Sequence, residues 1–246
     1  MIEFRDVSLR LGRKNILQNI SFSLPERGIT VLVGRNGSGK SSLLSCVNGQ
    51  RGYSGAILWN GEDLSALPPT ERAKRIALLP QTMPAPHITA FALAAFGRTP
   101  YLGISGKLQK EDEEKVYAAL AAVNAADLAD RFVDSLSGGE RQRVNLAMIL
   151  AQDTPCILLD EPTAHLDPAY TAEFLEQLLP LRQEKSILLV LHDLSLAAQF
   201  ADHVAVLEEG QLRFFGTRGE CLSQKVFETV FGVRRFCSED RIFFGV

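Results

Sequence analysis

The chain has 246 residues, a length that fits one large domain with an insertion. Its 26 Lys and Arg and 29 Asp and Glu give a net charge of -3 with both signs mixed along the chain, which argues against nucleic acid as a primary partner. The longest apolar stretches, such as 187–191, are far shorter than the ~20 residues of a membrane-spanning helix. Any membrane role is therefore expected to come through a partner protein.

The cysteines are few and widely spaced. Cys46, Cys156, Cys221 and Cys237 form no C-x-x-C pair and have no nearby histidine cluster at metal-binding spacing, so we expect reduced thiols. The N-terminal segment lacks the basic and apolar regions of a signal peptide, and the chain is expected to stay inside the cell.

Short apolar runs, alternating or continuous, predict strands along most of the chain. They cover 2–9, 21–24, 29–33, 56–59, 76–79, 156–160, 187–191, 204–207 and 212–215. Apolar residues at helical spacing predict helices. One follows the glycine-rich loop at 34–42, one covers about 111–123, one follows 136–140, and two cover about 169–181 and 194–200. Strands that alternate with helices imply an α/β fold with parallel pairing, and the Ala, Leu and charge-rich stretch 87–134 indicates a helical insertion.

The loop GRNGSGKSS fits the pattern G-x-x-x-x-G-K-[ST] between a predicted strand and a predicted helix. Its glycines allow backbone N–H groups to surround phosphate oxygens, and the helix directs its positive end at the same anion. Lys40 is expected to reach the β- and γ-phosphates and Ser41 to bind Mg2+. The predicted phosphate-binding residues are Gly34, Asn36, Gly37, Ser38, Gly39, Lys40, Ser41 and Ser42. The alternative is a glycine-rich turn that only happens to precede a helix.

The apolar run 156–159 ends in two carboxylates, Asp160 and Glu161. Ligands gather at the carboxyl ends of parallel strands, so Asp160 is expected to contact Mg2+. Alternation along the strand sends neighbouring side chains to opposite sides, so Glu161 need not share the metal, can face the attacking water and is expected to be the catalytic base. Alone, such a motif is commonly a solvated strand end.

Residues 136–140, LSGGE, open a predicted helix. Ser137 and Glu140 have the spacing of a capping box, which would make this segment a helix start and nothing more. The two glycines beside a serine hydroxyl also suit a second anion site. Two phosphate-binding surfaces on one chain suggest that a nucleotide is shared between two chains.

The order of the motifs GRNGSGKSS, LLPQ, LSGGERQR, ILLDEPTAHLD and LVLHD resembles the ATP-binding cassette (ABC) ATPases from the first strand to about residue 235. The resemblance implies a P-loop NTPase core with a mostly parallel sheet, an N-terminal antiparallel β layer and a helical subdomain carrying the LSGGE signature. It implies one domain over 1–246, with the core at about 1–86 and 154–246 and the helical subdomain at about 87–153.

The resemblance also implies roles for two residues outside the phosphate loop. Gln81 is expected to contact Mg2+ or water and to link the helical subdomain to the core, although by composition it is an ordinary loop residue. His192 is expected to contact the γ-phosphate and to orient the water, although a lone histidine there is more often structural. The implied catalytic residues are Glu161, His192 and Gln81, and the implied Mg2+ ligands are Ser41, Gln81 and Asp160.

The implied assembly is a head-to-tail dimer in which Ser137 and Gly139 of one copy close over ATP held by Lys40 of the other. Asp167 is expected to meet its counterpart across this dimer. A transmembrane permease is expected to dock near Gln81 and the helical subdomain, supplied by a substrate-binding protein. This places the chain peripherally at the cytoplasmic face of the cell membrane.

Two positions depart from the family pattern. Leu11 stands where members usually carry an aromatic residue that stacks on adenine, so the resemblance does not decide between ATP and GTP. Arg35 replaces a common proline in a variable position of the phosphate loop, where the backbone does the binding.

Residues 97–100, GRTP, look like the G-R-x-P stretch of ABC ATPases serving importers of iron-siderophore, haem or cobalamin. An exposed glycine and proline would otherwise mark a loop between helices. The expected function is ATP hydrolysis that powers metal-chelate import. Importers for molybdate or zinc and the ATPases of iron-sulfur cluster assembly stay open as alternatives, whereas a non-enzymatic scaffold conflicts with having both Glu161 and His192.

Overall fold

The computed structural model describes residues 1–103, 106–164, 166–238 and 241–245. The described chain forms two compact units, Met1–Leu67 with Arg182–Val246 and Pro68–Leu181, called here the first and the second unit. The second unit contains the strands Ile76–Leu79 and Cys156–Leu159 as well as helices, so it does not correspond to the helical subdomain expected at about 87–153, which stays a prediction.

The predicted strands and helices occur in the predicted order, together with further short elements that were not predicted. The strands are β1 (Ile2–Leu11), β2 (Lys14–Ser23), β3 (Gly28–Val33), β4 (Ser54–Trp59), β5 (Glu62–Asp63), β6 (Ile76–Leu79), β7 (Cys156–Leu159), β8 (Ser186–Val190), β9 (His203–Glu208), β10 (Gln211–Thr217), β11 (Arg234–Ser238) and β12 (Arg241–Gly245). The α-helices are α1 (Lys40–Val47), α2 (Pro69–Ala73), α3 (Ala90–Ala95), α4 (Lys110–Ala122), α5 (Gly138–Ala151), α6 (Pro168–Leu178), α7 (Leu194–Phe200), α8 (Arg218–Ser223) and α9 (Val226–Phe231). Short 3-10 turns cover Leu64–Ala66, Phe96–Tyr101, Ala126–Leu128, Val133–Ser135 and Leu181–Gln183.

The first unit contains an antiparallel sheet with the strand order β2-β1-β4-β5. Its buried face follows the period of two expected for a half-buried strand, and the rings of Phe4 and Phe22 stack there with centroids 4.4 Å apart. The pairing register shifts between Phe4 and Val7, where Asp6 has a φ of 50°. The extra residue of this bulge keeps Val7 and Leu9 on the buried face.

The strand that precedes the phosphate loop lies between two parallel partners in the first unit. β3 pairs with β8 on one side and β9 on the other, and β10 continues from β9 antiparallel. Val31, for example, is opposite both Leu189 and Val204. Every residue of β3 from Ile29 to Val33 is buried, so both faces of the strand are shielded from water, which explains why 29–33 is a mostly apolar run.

In the second unit, β6 and β7 pair in parallel and end together, with Leu79 opposite Leu159. Helices α3, α4 and α5 contact one another, and α5 also contacts β6. On α5 the buried side chains Val144, Ala147 and Ala151 recur at helical spacing. The second unit therefore contains a parallel strand pair, directly followed by Asp160 and Glu161, and a cluster of helices that includes α5, which begins in the LSGGE signature segment at 136–140.

The fold class predicted from the sequence is confirmed: the structure has a mostly parallel sheet, an antiparallel layer and helices between the strands. Several bounds differ. The strand expected at 21–24 is the longer β2, and the helix expected over 169–181 ends at Leu178. The hairpin of β11 and β12 has no counterpart among the predicted strands, because its sequence shows no clean alternation of apolar and polar residues.

Candidate functional site

The phosphate loop leaves β3 and enters α1 within the first unit. Gly34 has no room for a side chain, because a Cβ there would lie 2.2 Å from the Leu207 carbonyl oxygen and 2.5 Å from Ser38 Oγ. Gly39 has a φ of 107°, a conformation that residues with a Cβ rarely adopt. The two glycines thus allow a tight turn immediately before the helix, as the motif predicts.

Two polar side chains of this loop are buried. Lys40 is 5% exposed, and its Nζ donates to the carbonyl oxygens of Gly34 at 2.9 Å and Arg35 at 3.4 Å. Ser38 is 4% exposed, and its Oγ has no hydrogen-bond partner within the described part of the chain. Since buried hydroxyl groups are normally paired, this one fits a ligand oxygen such as a phosphate oxygen. No side chain caps the start of α1.

Asp160 and Glu161 lie after the end of β7, so the alternation of side chains along a strand does not determine their directions. β7 ends at Leu159, and Asp160 is buried with its backbone N–H donating to the Leu79 carbonyl at 2.9 Å. Glu161 has a φ of 50° and belongs to a turn, so the strand period does not determine its direction. The left-handed backbone of Glu161 turns the chain away from the strand at this point.

Gln81 and Glu161, which are 80 residues apart in sequence, meet in the second unit. Gln81 Nε2 donates to Glu161 Oε2 at 2.6 Å, a short charge-assisted hydrogen bond. The expected Mg2+ ligands Ser41, Gln81 and Asp160 offer a hydroxyl, an amide and one carboxylate, all oxygen donors of the kind that Mg2+ prefers. No cluster of three or more His, Cys, Asp or Glu that could hold a metal by itself occurs among the described residues.

The signature segment begins α5 with the predicted capping box. Ser137 Oγ accepts from the backbone N–H of Glu140 at 3.3 Å, and Glu140 Oε2 accepts from the Ser137 N–H at 2.8 Å. Hydrogen bonding from Ser137, first through its backbone N–H, lowers the pKa of Glu140. A Cβ on Gly139 would lie 2.7 Å from Cδ1 of Tyr170, whereas Gly138 has open space. The Tyr170 ring therefore leaves no room for a side chain at position 139, and no sequence motif predicts this contact.

The other predicted site residues lie at element boundaries. Asp167 is the N-cap of α6, where its Oδ1 accepts from the backbone N–H groups of Ala169 at 3.0 Å and Tyr170 at 3.1 Å. In the first unit, His192 is exposed and follows β8, directly before the N-cap of α7. Asp167 thus has a capping role in addition to the dimer role that the sequence predicts for it.

The GRTP segment forms the 3-10 turn Phe96–Tyr101 and is not an exposed loop. Arg98 is 3% exposed, and its guanidinium donates to Asp112 Oδ1 and to the Ala151 carbonyl, each at 2.9 Å. The same group lies over the ring of Tyr101 at 4.0 Å. A Cβ on Gly97 would lie 2.1 Å from the Met148 carbonyl. This packing role of Arg98 and Gly97 was not predicted, because it depends on contacts with α4 and α5 that are distant in sequence.

Comparison with known proteins decides the family. The ABC transporter family model matches residues 17–164, more than half of the chain. This chain belongs to the ABC transporter family. The resemblance inferred from the motifs is confirmed, and so is the expected activity: the chain is an ATP-binding subunit that hydrolyses ATP to drive transport. Such subunits work with membrane permease components.

Full-length relatives of this ABC ATPase are similar to it over nearly the whole chain. The ferric enterobactin transport ATP-binding protein FepC of Escherichia coli is 37% identical and covers 96% of this chain and 89% of its own length. The hemin import ATP-binding protein HmuV of Pseudomonas entomophila is 38% identical, with 95% and 93% covered. A crystal structure of a nucleotide-free ATP-binding cassette from an ABC transporter shares the fold, with a TM-score of 0.84 at 22% identity over 94% and 96% of the chains.

Of the helices in the described ranges of this ABC ATPase, not one combines the length and the apolar character that a membrane span requires.

Proposed function

We propose that the chain powers an importer that takes up a metal chelate of the iron-siderophore, haem or cobalamin type. The observation that carries the proposal is the near full-length similarity to subunits named for ferric enterobactin transport and hemin import, at 37% and 38% identity. The GRTP segment supports the same substrate class. These relatives lend no support to cluster assembly, or to molybdate or zinc import.

ATP binding is assigned to the loop between β3 and α1. The Lys40 amine already lies against two loop carbonyls, so its positive charge is directed into the loop where phosphates would bind. The Ser38 hydroxyl and the uncapped N-terminus of α1 supply further donors. The residues proposed to bind nucleotide here are Gly34, Asn36, Gly37, Ser38, Gly39, Lys40, Ser41 and Ser42.

Mg2+ is proposed to be held by Ser41, Gln81 and Asp160 when nucleotide is bound. The ion neutralises charge on the phosphate oxygens. Its proposed ligands contribute only one carboxylate, so binding depends on the nucleotide as well.

Glu161 is proposed as the general base of hydrolysis. Its carboxylate accepts a proton from the attacking water, the water oxygen bonds to the γ-phosphorus, and ADP leaves with the electrons of the broken phosphorus-oxygen bond. Gln81 restrains the carboxylate through the hydrogen bond to Oε2. His192 is proposed to contact the γ-phosphate and to orient the water.

The working assembly is proposed to be a head-to-tail dimer bound to a permease. Ser137, Gly139 and Asp167 of one copy are assigned to the nucleotide held by the other, which is supported by the presence of two anion-type surfaces in one chain. The permease is proposed to dock near Gln81, to receive its cargo from a substrate-binding protein, and to hold the chain at the cytoplasmic face of the membrane.

The decisive experiment recovers the tagged chain from native membranes in mild detergent. We expect a multi-spanning membrane protein to co-purify, and the ATPase rate of the complex to rise when a ferric siderophore or haem is delivered by its binding protein. Recovery with only water-soluble partners would overturn the importer assignment.

A Lys40→Ala variant is the control for this experiment. It removes the amine proposed to bind phosphate, so hydrolysis is expected to be lost while the membrane partner still co-purifies. Loss of the partner together with hydrolysis would mean that the variant is misfolded, and thermal unfolding of the variant identifies that case.

A further inference from the structure

A side-chain amide on the signature helix bonds to the turn that contains Glu161. Gln142 lies on α5, and its Nε2 donates to the Pro162 carbonyl at 2.7 Å. Pro162 directly follows Glu161 and is buried. The hydrogen bond therefore restrains the Pro162–Thr163 peptide group, one residue beyond the proposed base.

The orientation of the Gln142 amide is determined by a second amide one turn along α5. Asn145 Nδ2 donates to Gln142 Oε1 at 3.2 Å, and Asn145 is only 3% exposed. Because the Gln142 oxygen accepts this bond, its NH2 group is the end that points at Pro162. The pair thus forms a directed chain of hydrogen bonds from the helix to the turn.

The turn itself holds Glu161 in a conformation that needs support. Glu161 has a φ of 50°, and its carbonyl accepts from the Ala164 N–H at 3.0 Å. Its carboxylate accepts from Gln81 at 2.6 Å. A left-handed residue with a side chain persists only where its surroundings constrain it, and Gln142 supplies the constraint from the signature helix.

We propose that Gln142 is a positioning residue for ATP hydrolysis, which ties the orientation of Glu161 to the position of α5, the helix that Ser137 caps. The inference rests on the proposed role of Glu161 as base. A shift of α5 along its axis moves the amide of Gln142, and the Pro162 carbonyl follows it through the hydrogen bond. The direction of the Glu161 carboxylate then depends on where the signature helix lies.

The test replaces Gln142 with methionine, which keeps the length of the side chain and removes the donor. We expect kcat of the full-length chain to fall about tenfold or more, because small displacements of a catalytic group are costly, with KM for ATP changed less than about twofold. Gln177→Met is the matched control, since Gln177 Nε2 also donates to a backbone carbonyl, that of Val123 at 3.3 Å. The control is expected to keep its kcat.

A double-mutant cycle with Glu161→Gln distinguishes positioning from a general structural effect. If Gln142 acts through Glu161, Gln142→Met causes no further loss of single-turnover hydrolysis in the Glu161→Gln background. An equal loss in both backgrounds, or a normal kcat for Gln142→Met, overturns the inference. If Glu161→Gln alone hydrolyses ATP at the normal rate, Glu161 is not the base and the inference falls with it. If Glu161→Gln hydrolyses ATP slowly but Gln142→Met hydrolyses it normally, Glu161 keeps its role as base and only the inference about Gln142 falls.

A second variant covers the case in which Gln142→Met does not fold. Asn145→Leu leaves the Gln142 side chain in place but removes the donor that orients it. We expect a smaller fall in kcat in the same direction, again without a matching change in KM. An unchanged kcat in a folded Asn145→Leu protein would overturn the inference.

Discussion

Glu161 adopts a left-handed backbone conformation, with a φ of 50°, that cannot be predicted from its place in the sequence. A left-handed φ costs a residue with a Cβ roughly 1–2 kcal/mol, so the turn at 161–164 is held by its neighbours and not by local preference. The side chain is held in the same way, by an amide from residue 81. Tertiary contacts therefore determine both the direction of the Glu161 side chain and how firmly its carboxylate is held, and both matter for catalysis.

Replacing Glu161 with glutamine should separate nucleotide binding from turnover. The amide cannot accept the proton from water, and we expect hydrolysis to fall by about 100-fold or more while ATP binding stays and an ATP-bound dimer accumulates. Binding of a fluorescent ATP analogue, phosphate release and size-exclusion chromatography measure the three effects. Glu176→Gln, which changes an exposed carboxylate on α6, is the control. Near-normal phosphate release by Glu161→Gln would remove Glu161 from the base role.

The two signature glycines should differ in their tolerance of alanine. Alanine at 139 would place its Cβ 2.7 Å from the Tyr170 ring, and overpacking of this kind costs about 1–3 kcal/mol. Alanine at 138 meets open space. Thermal unfolding should show a clear loss of stability for Gly139→Ala only, and Tyr170→Ala should restore part of it in the double variant. Equal losses for the two alanine variants would mean that the ring contact is not what excludes a side chain.

At the scale of elements, Arg98 joins three of them in the second unit. It lies in the 3-10 turn Phe96–Tyr101, pairs with Asp112 in the first turn of α4, and donates to the last carbonyl of α5 at Ala151. Removing one partner of a buried ion pair leaves an uncompensated charge, at a cost of roughly 3–5 kcal/mol. The GRTP segment therefore fixes the end of the signature helix against α4.

This ion pair should give the protein a specific sensitivity to acid. A backbone N–H from Gln109, together with Arg98, lowers the pKa of Asp112. Because the folded pKa is the lower one, its stabilising contribution is complete above the ordinary pKa of about 4 and is lost as the pH falls through the lowered value. The free energy of unfolding in urea, measured between neutral pH and the acid limit, should decrease less steeply for Asp112→Asn than for the unchanged chain. Asp127→Asn, at an exposed position, should follow the unchanged chain, and an identical slope for Asp112→Asn would contradict the assignment.

Elements with strong periodicity or a phosphate-binding motif could be predicted from the sequence, and elements fixed by long-range contacts could not. The strands around the loop at 34–42 and the capping box of Ser137 and Glu140 are local patterns, and the structure has both. The alternation argument for Glu161 was wrong because the strand ends at Leu159. The contact of Tyr170 with Gly139 joins residues on two helices, and no spacing within one segment encodes it. The roles of the site residues themselves stay predictions.

Across the whole molecule, three of the four cysteine thiols are buried and one is exposed. Burial raises the pKa of Cys46 to about 11 and that of Cys221 to about 12, and Cys156 is fully buried. Cys237 is exposed on β11. Since the thiolate is the reactive form, burial protects Cys46 and Cys221 twice, by excluding reagent and by keeping the proton in place, and it protects Cys156 by excluding reagent.

Alkylation of the native chain should therefore modify Cys237 alone. Maleimide labelling at neutral pH followed by intact-mass measurement is expected to show one adduct in the folded protein and four in denaturant. Cys237→Ser should show none in the folded state. Rapid labelling of a second thiol in the native state would contradict the burial of the other three.

The pairing of β3 has a consequence for the order of events during synthesis on the ribosome. Val31 is opposite Leu189 and Val204, so the strand that leads into the phosphate loop has no parallel neighbour until more than 150 residues have followed it. At translation rates of about 5–20 residues per second, this delay amounts to roughly 8 to 30 s. During that interval an apolar strand with two open edges leaves the ribosome exit tunnel, a target for chaperones that bind nascent chains. The nascent chain can therefore complete the surroundings of the phosphate loop only after β8 and β9 have been synthesised.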